Sequence, residues 1–143
     1  MTALARLWSR EQLPIRDGLY TAAGGAFDVE VDPRAPGGLR VLDGFDVEEF
    51  LREDPEWITS LTTTAEVELP AGAGYLCCGE GSHGSEGFFA RLSPDHDLLW
   101  AVYLEESNPF VDLTVTGDRA VIRSTADVTI VLDLRSESFR PVT

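Results

Sequence analysis

The sequence predicts an α+β fold, a mainly antiparallel β-meander of about six to eight strands with one or two short helices in the N-terminal half. Three observations predict it. From Gly74 onward, apolar runs of strand length alternate with tight turns, the signature of successive antiparallel strands. Only two segments, both in the first half, carry helical spacing together with helix stop signals. The run 98–104 (LLWAVYL) is apolar at nearly every position, as suits a central strand covered on both faces. With 143 residues and a 43% hydrophobic fraction, the chain fits a single domain, residues 1–143, with a core of its own.

Taken in order, residues 3–12 place Leu4, Leu7 and Trp8 on one helical face before Pro14, which predicts a short amphipathic helix. Residues 27–31 alternate Phe27, Val29 and Val31 on one side, a half-buried strand. The run 33–38 (PRAPGG) is a loop, and 39–42 is a further strand. Asp46 and Glu49 make a capping-box pattern at the head of a helix over 46–53. Val47, Phe50 and Leu51 form its inward stripe, Glu48 can pair with Arg52, and Pro55 ends it with Trp57 packed beneath. Residues 58–69, rich in threonine and valine, read as one strand or two. Strands then follow over 75–78, 88–92, 98–104, 111–116, 120–125 and 128–134.

Composition narrows the function. All eleven basic residues are arginine with no lysine, asparagine occurs once and isoleucine is scarce; these three missing or rare types have A/T-rich codons, and the bias points to a GC-rich bacterial genome. The formal charge of −14 repels nucleic acid and anionic lipid and favours encounter with basic partners. Neither a run of membrane-spanning length nor a signal-peptide pattern occurs, so a cytoplasmic protein is expected. The two cysteines, Cys77 and Cys78, are adjacent in a predicted strand and read as buried free thiols facing opposite sides. Locally, the segment 43–56 gathers Asp43, Asp46, Glu48, Glu49, Glu53, Asp54 and Glu56 against Arg52 alone. Acids at the head of a helix favour its dipole, but Glu53 and Asp54 at its tail oppose it. Helix stability therefore accounts for part of this patch; the rest reads either as a solvated face or as a docking surface for a basic protein.

Candidate chemistry centres on the loop 79–87. Gly79-Glu80-Gly81-Ser82-His83-Gly84 satisfies G-x-G-x-x-G, but a strand follows where a dinucleotide site needs a helix, and Glu80 and Glu86 would repel phosphate. Neither Ser82 nor Ser85 sits in a nucleophile-elbow frame. A hydrolytic triad would have to be assembled in space, with His83 or His96 as base and Glu80 or Asp97 as orienter. The hairpin residues Asp95, His96 and Asp97 point alternately to opposite sides and are not expected to share a metal ion with His83. No catalytic residue, metal or cofactor is assigned. Trp100, Tyr103, Phe88 and Phe89 read as core, and residues 107–110 (SNPF) as a turn.

The string Gly79-x-Gly81-Ser82-x-Gly84-x-x-Gly87-Phe88, followed by Leu98-Leu99-Trp100 and Ser107-Asn108-Pro109-Phe110, resembles a pattern in small bacterial immunity proteins encoded beside polymorphic or contact-dependent toxins. The resemblance implies a small cytoplasmic antidote that binds a toxin, with these motifs as fold determinants, and it assigns no contact residues. The expectation is a non-catalytic, acidic protein-binding module, with the 43–56 carboxylates meeting a cognate basic toxin. The alternatives are a small ligand-binding or hydrolytic domain using Glu80, Ser82, His83 and His96, and a structural or regulatory domain.

Overall fold

The computed structural model describes residues 2–142. Its frame is a seven-stranded antiparallel sheet with strand order β4-β3-β2-β9-β8-β7-β6. The members are β2 (Gly18–Thr21), β3 (Ala26–Val31), β4 (Leu39–Phe45), β6 (Thr62–Glu68), β7 (Tyr75–Glu80), β8 (Gly87–Leu92) and β9 (Leu98–Leu104). The apolar run predicted as a central strand is β9, the middle of the seven. It joins two local meanders, β2–β4 and β6–β9, because Leu19 opposite Val102 and Tyr20 opposite Ala101 close the sheet between distant parts of the chain.

The edge strands β4 and β6 of the sheet are largely exposed, while its central strands are covered on both faces. On one, the three-stranded meander β10 (Phe110–Thr116), β11 (Arg119–Ser124) and β12 (Thr129–Asp133) packs over Val102, Phe89, Cys78 and Leu76. On the other lie the helices α1 (Ala3–Ser9) and α2 (Val47–Glu53) with the short pair β1 (Gln12–Pro14) and β5 (Ile58–Ser60). Strand alternation does the sorting: Phe89 and Cys78 enter the first core, Phe88 and Cys77 the second. Each such buried side chain contributes roughly 1.5–3 kcal/mol of transfer free energy, which makes these two layers the main source of stability.

Arg91 is the exception in this pattern. Its side chain lies buried on the β10–β12 side, where Nη1 donates to the carbonyls of Leu134 (3.2 Å) and Ser136 (2.6 Å). Burial pulls its pKa below the usual arginine value, against the opposing field of Glu137. Together with the edge contact of Phe139 on Trp100, at 5.0 Å between ring centroids, this holds the final segment against the sheet.

Several elements differ from expectation. The first helix ends at Ser9, because Arg10 caps it and Glu11 turns to φ 57°. Residues 58–69 form two strands, one of the two readings the sequence left open, with β5 and β6 dividing at Leu61 and belonging to different sheets. The meander from 74 to 134 is not one sheet, since β10 leaves the large sheet after the SNPF turn to begin the second. Trp57 is not packed beneath α2; it is 50% exposed. Glu48 does not pair with Arg52 but accepts a hydrogen bond from the Ala3 amide at 3.1 Å, tying α2 to the start of α1. The capping by Asp46 is as predicted, its Oδ1 accepting from the Glu49 amide at 3.2 Å. No helix among the described residues is long and apolar enough to cross a membrane.

Candidate functional site

The glycine-rich loop between β7 and β8 is built around a side chain that the sequence did not single out as functional, Glu86. Its carboxylate is buried at 2% exposure. Oε1 accepts from the Thr59 hydroxyl (3.0 Å) and the His83 amide (2.8 Å), with the His83 ring Nδ1 at 3.3 Å, and Oε2 accepts from the Tyr103 hydroxyl. Burial acts to raise the pKa of Glu86. The hydrogen bonds from Tyr103, the His83 amide, Thr59 and the His83 ring outweigh it and hold the carboxyl below its ordinary range. Burial and the adjoining carboxylate push the Tyr103 phenol strongly upward, so it stays a proton donor.

Three of the four loop glycines have a steric reason to be glycine. A Cβ on Gly79 would run into the Thr62 carbonyl of β6 and lie 2.8 Å from the Phe88 ring. One on Gly81 would lie 2.8 Å from the Glu86 carboxyl carbon, and one on Gly87 would strike the Asn108 carbonyl and lie 2.8 Å from the Phe110 ring. Gly84 faces open space. The SNPF turn docks here as well: Asn108 has φ 63° and donates its amide to the Ser85 carbonyl at 2.7 Å. The spacing of these glycines thus reflects the packing of one turn against another.

The polar residues of this loop are engaged in the same framework. The Ser82 amide donates to Thr59 Oγ1 at 2.9 Å, and its hydroxyl accepts from the Ser60 amide at 3.1 Å, stapling the loop to β5. Glu80 stands opposite Thr62 at the end of β7. His83 is largely exposed, at 73%, and its carboxylate neighbour is Glu86 rather than Glu80. His96 belongs to the β8–β9 turn at the other end of β8, where it stacks on Tyr75 at 3.9 Å and approaches Glu66 Oε2 at 3.5 Å. Six strand residues at about 3.3 Å each separate the two histidines by roughly 20 Å. Glu80, Ser82 and His83 therefore share one end of the sheet, and His96 does not join them.

The acidic segment is organised differently. Asp43 lies near the end of β4, Asp46 to Glu53 span α2 and its cap, and Asp54 and Glu56 follow. All seven carboxylates are exposed. Among the described residues none of them forms an ion pair, although pairs such as Arg16–Asp28 and Arg135–Asp133 form elsewhere. Glu48 and Asp46 hold backbone amides, which leaves Asp43, Glu49, Glu53, Asp54 and Glu56 facing solvent. Exposed apolar side chains border them: Trp57 follows Glu56, Leu42 precedes Asp43, and Phe27 stands opposite Gly44 at 36% exposure.

Cys77 and Cys78 are buried free thiols on opposite faces of β7. Burial, with added repulsion from Glu66 and Cys78, pushes the Cys77 thiol up to about 12, and burial raises Cys78 as well. Neither thiol is expected to react with an aromatic disulfide reagent in the native protein, and both should react in denaturant. Rapid labelling of the native chain would contradict the burial of both.

Comparison with protein-family models, with curated proteins and with solved structures finds no match to this chain.

Proposed function

We propose that the chain is a non-catalytic protein-binding module, an acidic immunity- or antitoxin-like protein that binds and neutralises a basic toxin domain in the cytoplasm. The observation that carries this reading is the unpaired acidic segment from Asp43 to Glu56 with Trp57 exposed at its edge. Carboxylates without internal partners lose no ion pair on meeting a cationic surface, and their field accelerates encounter. Tryptophan is enriched among the residues that carry most of the binding energy at interfaces, and Trp57 is exposed here. Enzymes that act on nucleic acid carry basic clefts, so an acidic face is suited to occlude one.

The test is a binding titration against the product of a neighbouring toxin gene. Reversing two charges, Glu49→Arg with Glu53→Arg, is expected to weaken the complex at least about tenfold, within the range of coupling measured for close interfacial charge pairs. Wild-type affinity should fall as salt rises. Unchanged affinity in the charge-reversed protein would remove the acidic segment from the interface.

A second reading, a small hydrolytic or ligand-binding domain, draws on the His83–Glu86 pair, since a carboxylate that orients an exposed imidazole is a common base arrangement. Turnover or ligand binding lost in His83→Ala would favour it over the first.

A further inference from the structure

A groove of about 560 Å³ lies on the helix-bearing face, between α1 and the strands β6 to β9 of the large sheet. It is separate from the acidic segment, none of whose seven carboxylates lines it. Its floor and walls are apolar: Trp8 from α1, Leu61, Phe88 and Leu92 from the sheet side, and Leu98 at the start of β9. Trp8 and Phe88 meet edge to face, with ring centroids 6.2 Å apart, which fixes the indole at the mouth of this floor. The volume falls within the range of small-molecule sites, roughly 300–1,000 Å³.

The rim supplies the selectivity. Glu11, Glu66 and Asp97 line it, and no arginine does. Glu66 is exposed on β6 and has His96, which also lines the groove, as its neighbour at 3.5 Å. An anion placed here would meet three carboxylates, and a neutral apolar molecule would leave them unused. A cation with a hydrocarbon body satisfies both parts, with its charge at the rim, its body on Leu92 and Phe88, and the Trp8 ring available for cation–π contact. We propose that this groove binds a small organic cation with an apolar body, an arylalkylammonium being the simplest representative.

The experiment is an NMR titration of the intact chain with 3-phenylpropylammonium, at about pH 8, above the usual imidazole range, and at fixed ionic strength. The comparators are 3-phenylpropan-1-ol and 3-phenylpropionate, which share the carbon skeleton and differ in charge. A ligand of about ten non-hydrogen atoms at ordinary efficiency reaches a dissociation constant on the order of 1 mM. The expected result is saturable perturbation at Trp8, Thr63, Leu92 and Leu98. The alcohol should bind at least about threefold more weakly than the ammonium, and the carboxylate more weakly still, as expected when one partly exposed charge contact is lost. Glu66→Gln, an edge-strand change with little bearing on folding, should weaken the ammonium about threefold. Asp112→Asn, on the sheet covering the opposite face, should leave it unchanged and so control for the overall negative field. Equal binding of the three ligands would overturn the proposal, as would insensitivity to Glu66→Gln, perturbations mapping outside the groove, or no saturable change at concentrations on the order of 10 mM.

Discussion

Glu86→Ala is expected to lower the unfolding free energy by about 3–5 kcal/mol, the largest effect of any polar substitution in the chain. The change removes one buried carboxylate and strands three donors at once, the Tyr103 hydroxyl, the Thr59 hydroxyl and the His83 amide. For a domain of this size the midpoint of thermal unfolding should fall by roughly 10 °C. Glu86→Gln keeps the shape and one acceptor, so its cost should be about half as large. The pH dependence carries a definite sign. Because the folded pKa of Glu86 is depressed, its contribution is present above the unfolded carboxyl value and is lost as pH falls through the lower folded value. Asp17 and Glu105 act oppositely: burial and neighbouring carboxylates raise their pKa values, so protonating them on acidification favours the folded state. The difference between wild type and Glu86→Gln across the acid range isolates the Glu86 component, and parallel curves would refute it.

Gly79→Ala should cost about 2–3 kcal/mol, whereas Gly84→Ala, in the same loop, should fall within about 0.5 kcal/mol of wild type. The contrast follows from what each added methyl meets. At Gly79 it would press on the Thr62 carbonyl and the Phe88 ring, and neither can move without parting β6 from β7 or disturbing the core on the helix side. At Gly84 nothing lies within 4 Å. Chemical denaturation of the two variants, compared by midpoint at equal slope, measures this difference. Equal stability of the pair would mean that the loop glycines are not imposed by packing.

Much of this fold was legible because burial on both faces leaves a strong trace. The run 98–104 could be placed at the centre of a sheet, and the adjacent cysteines on opposite faces, from apolarity and strand period alone. Short elements left no such trace. The strands β1 and β2 have three and four residues, end or begin on Pro14 and Gly18 and are separated by a segment carrying Arg16 and Asp17, so their pairing to β5 and β9 depends on contacts far along the chain. Trp57 was misplaced because a large aromatic after a helix stop reads as core, while here the backbone pairing of β5 turns it outward. Glu86 was missed because an acid in a glycine-serine loop looks solvated. One signal did exist: Tyr103 sits in a wholly apolar strand opposite Phe88, and a buried phenol needs an acceptor. The nearest carboxylate in that register is the one just before β8. The acidic segment, by contrast, was visible in full, since exposure of a charged run requires no long-range contact.

The loop around Glu86 and the acidic segment thus differ in what their chemistry is engaged in. The groups around Glu86 satisfy one another and hold the loop to β5 and β9. The carboxylates along α2 have no cationic partner within the described chain, and in the proposed role a second protein supplies the cations.

The most direct measurement of that role is calorimetric titration of the chain with the purified product of a neighbouring toxin gene, at low and at raised salt, for wild type and for Glu49→Arg with Glu53→Arg. A saturable complex that weakens with salt, and weakens further on charge reversal, is the predicted result. Absence of a complex at micromolar concentration and low salt, or an affinity indifferent to both perturbations, would contradict it.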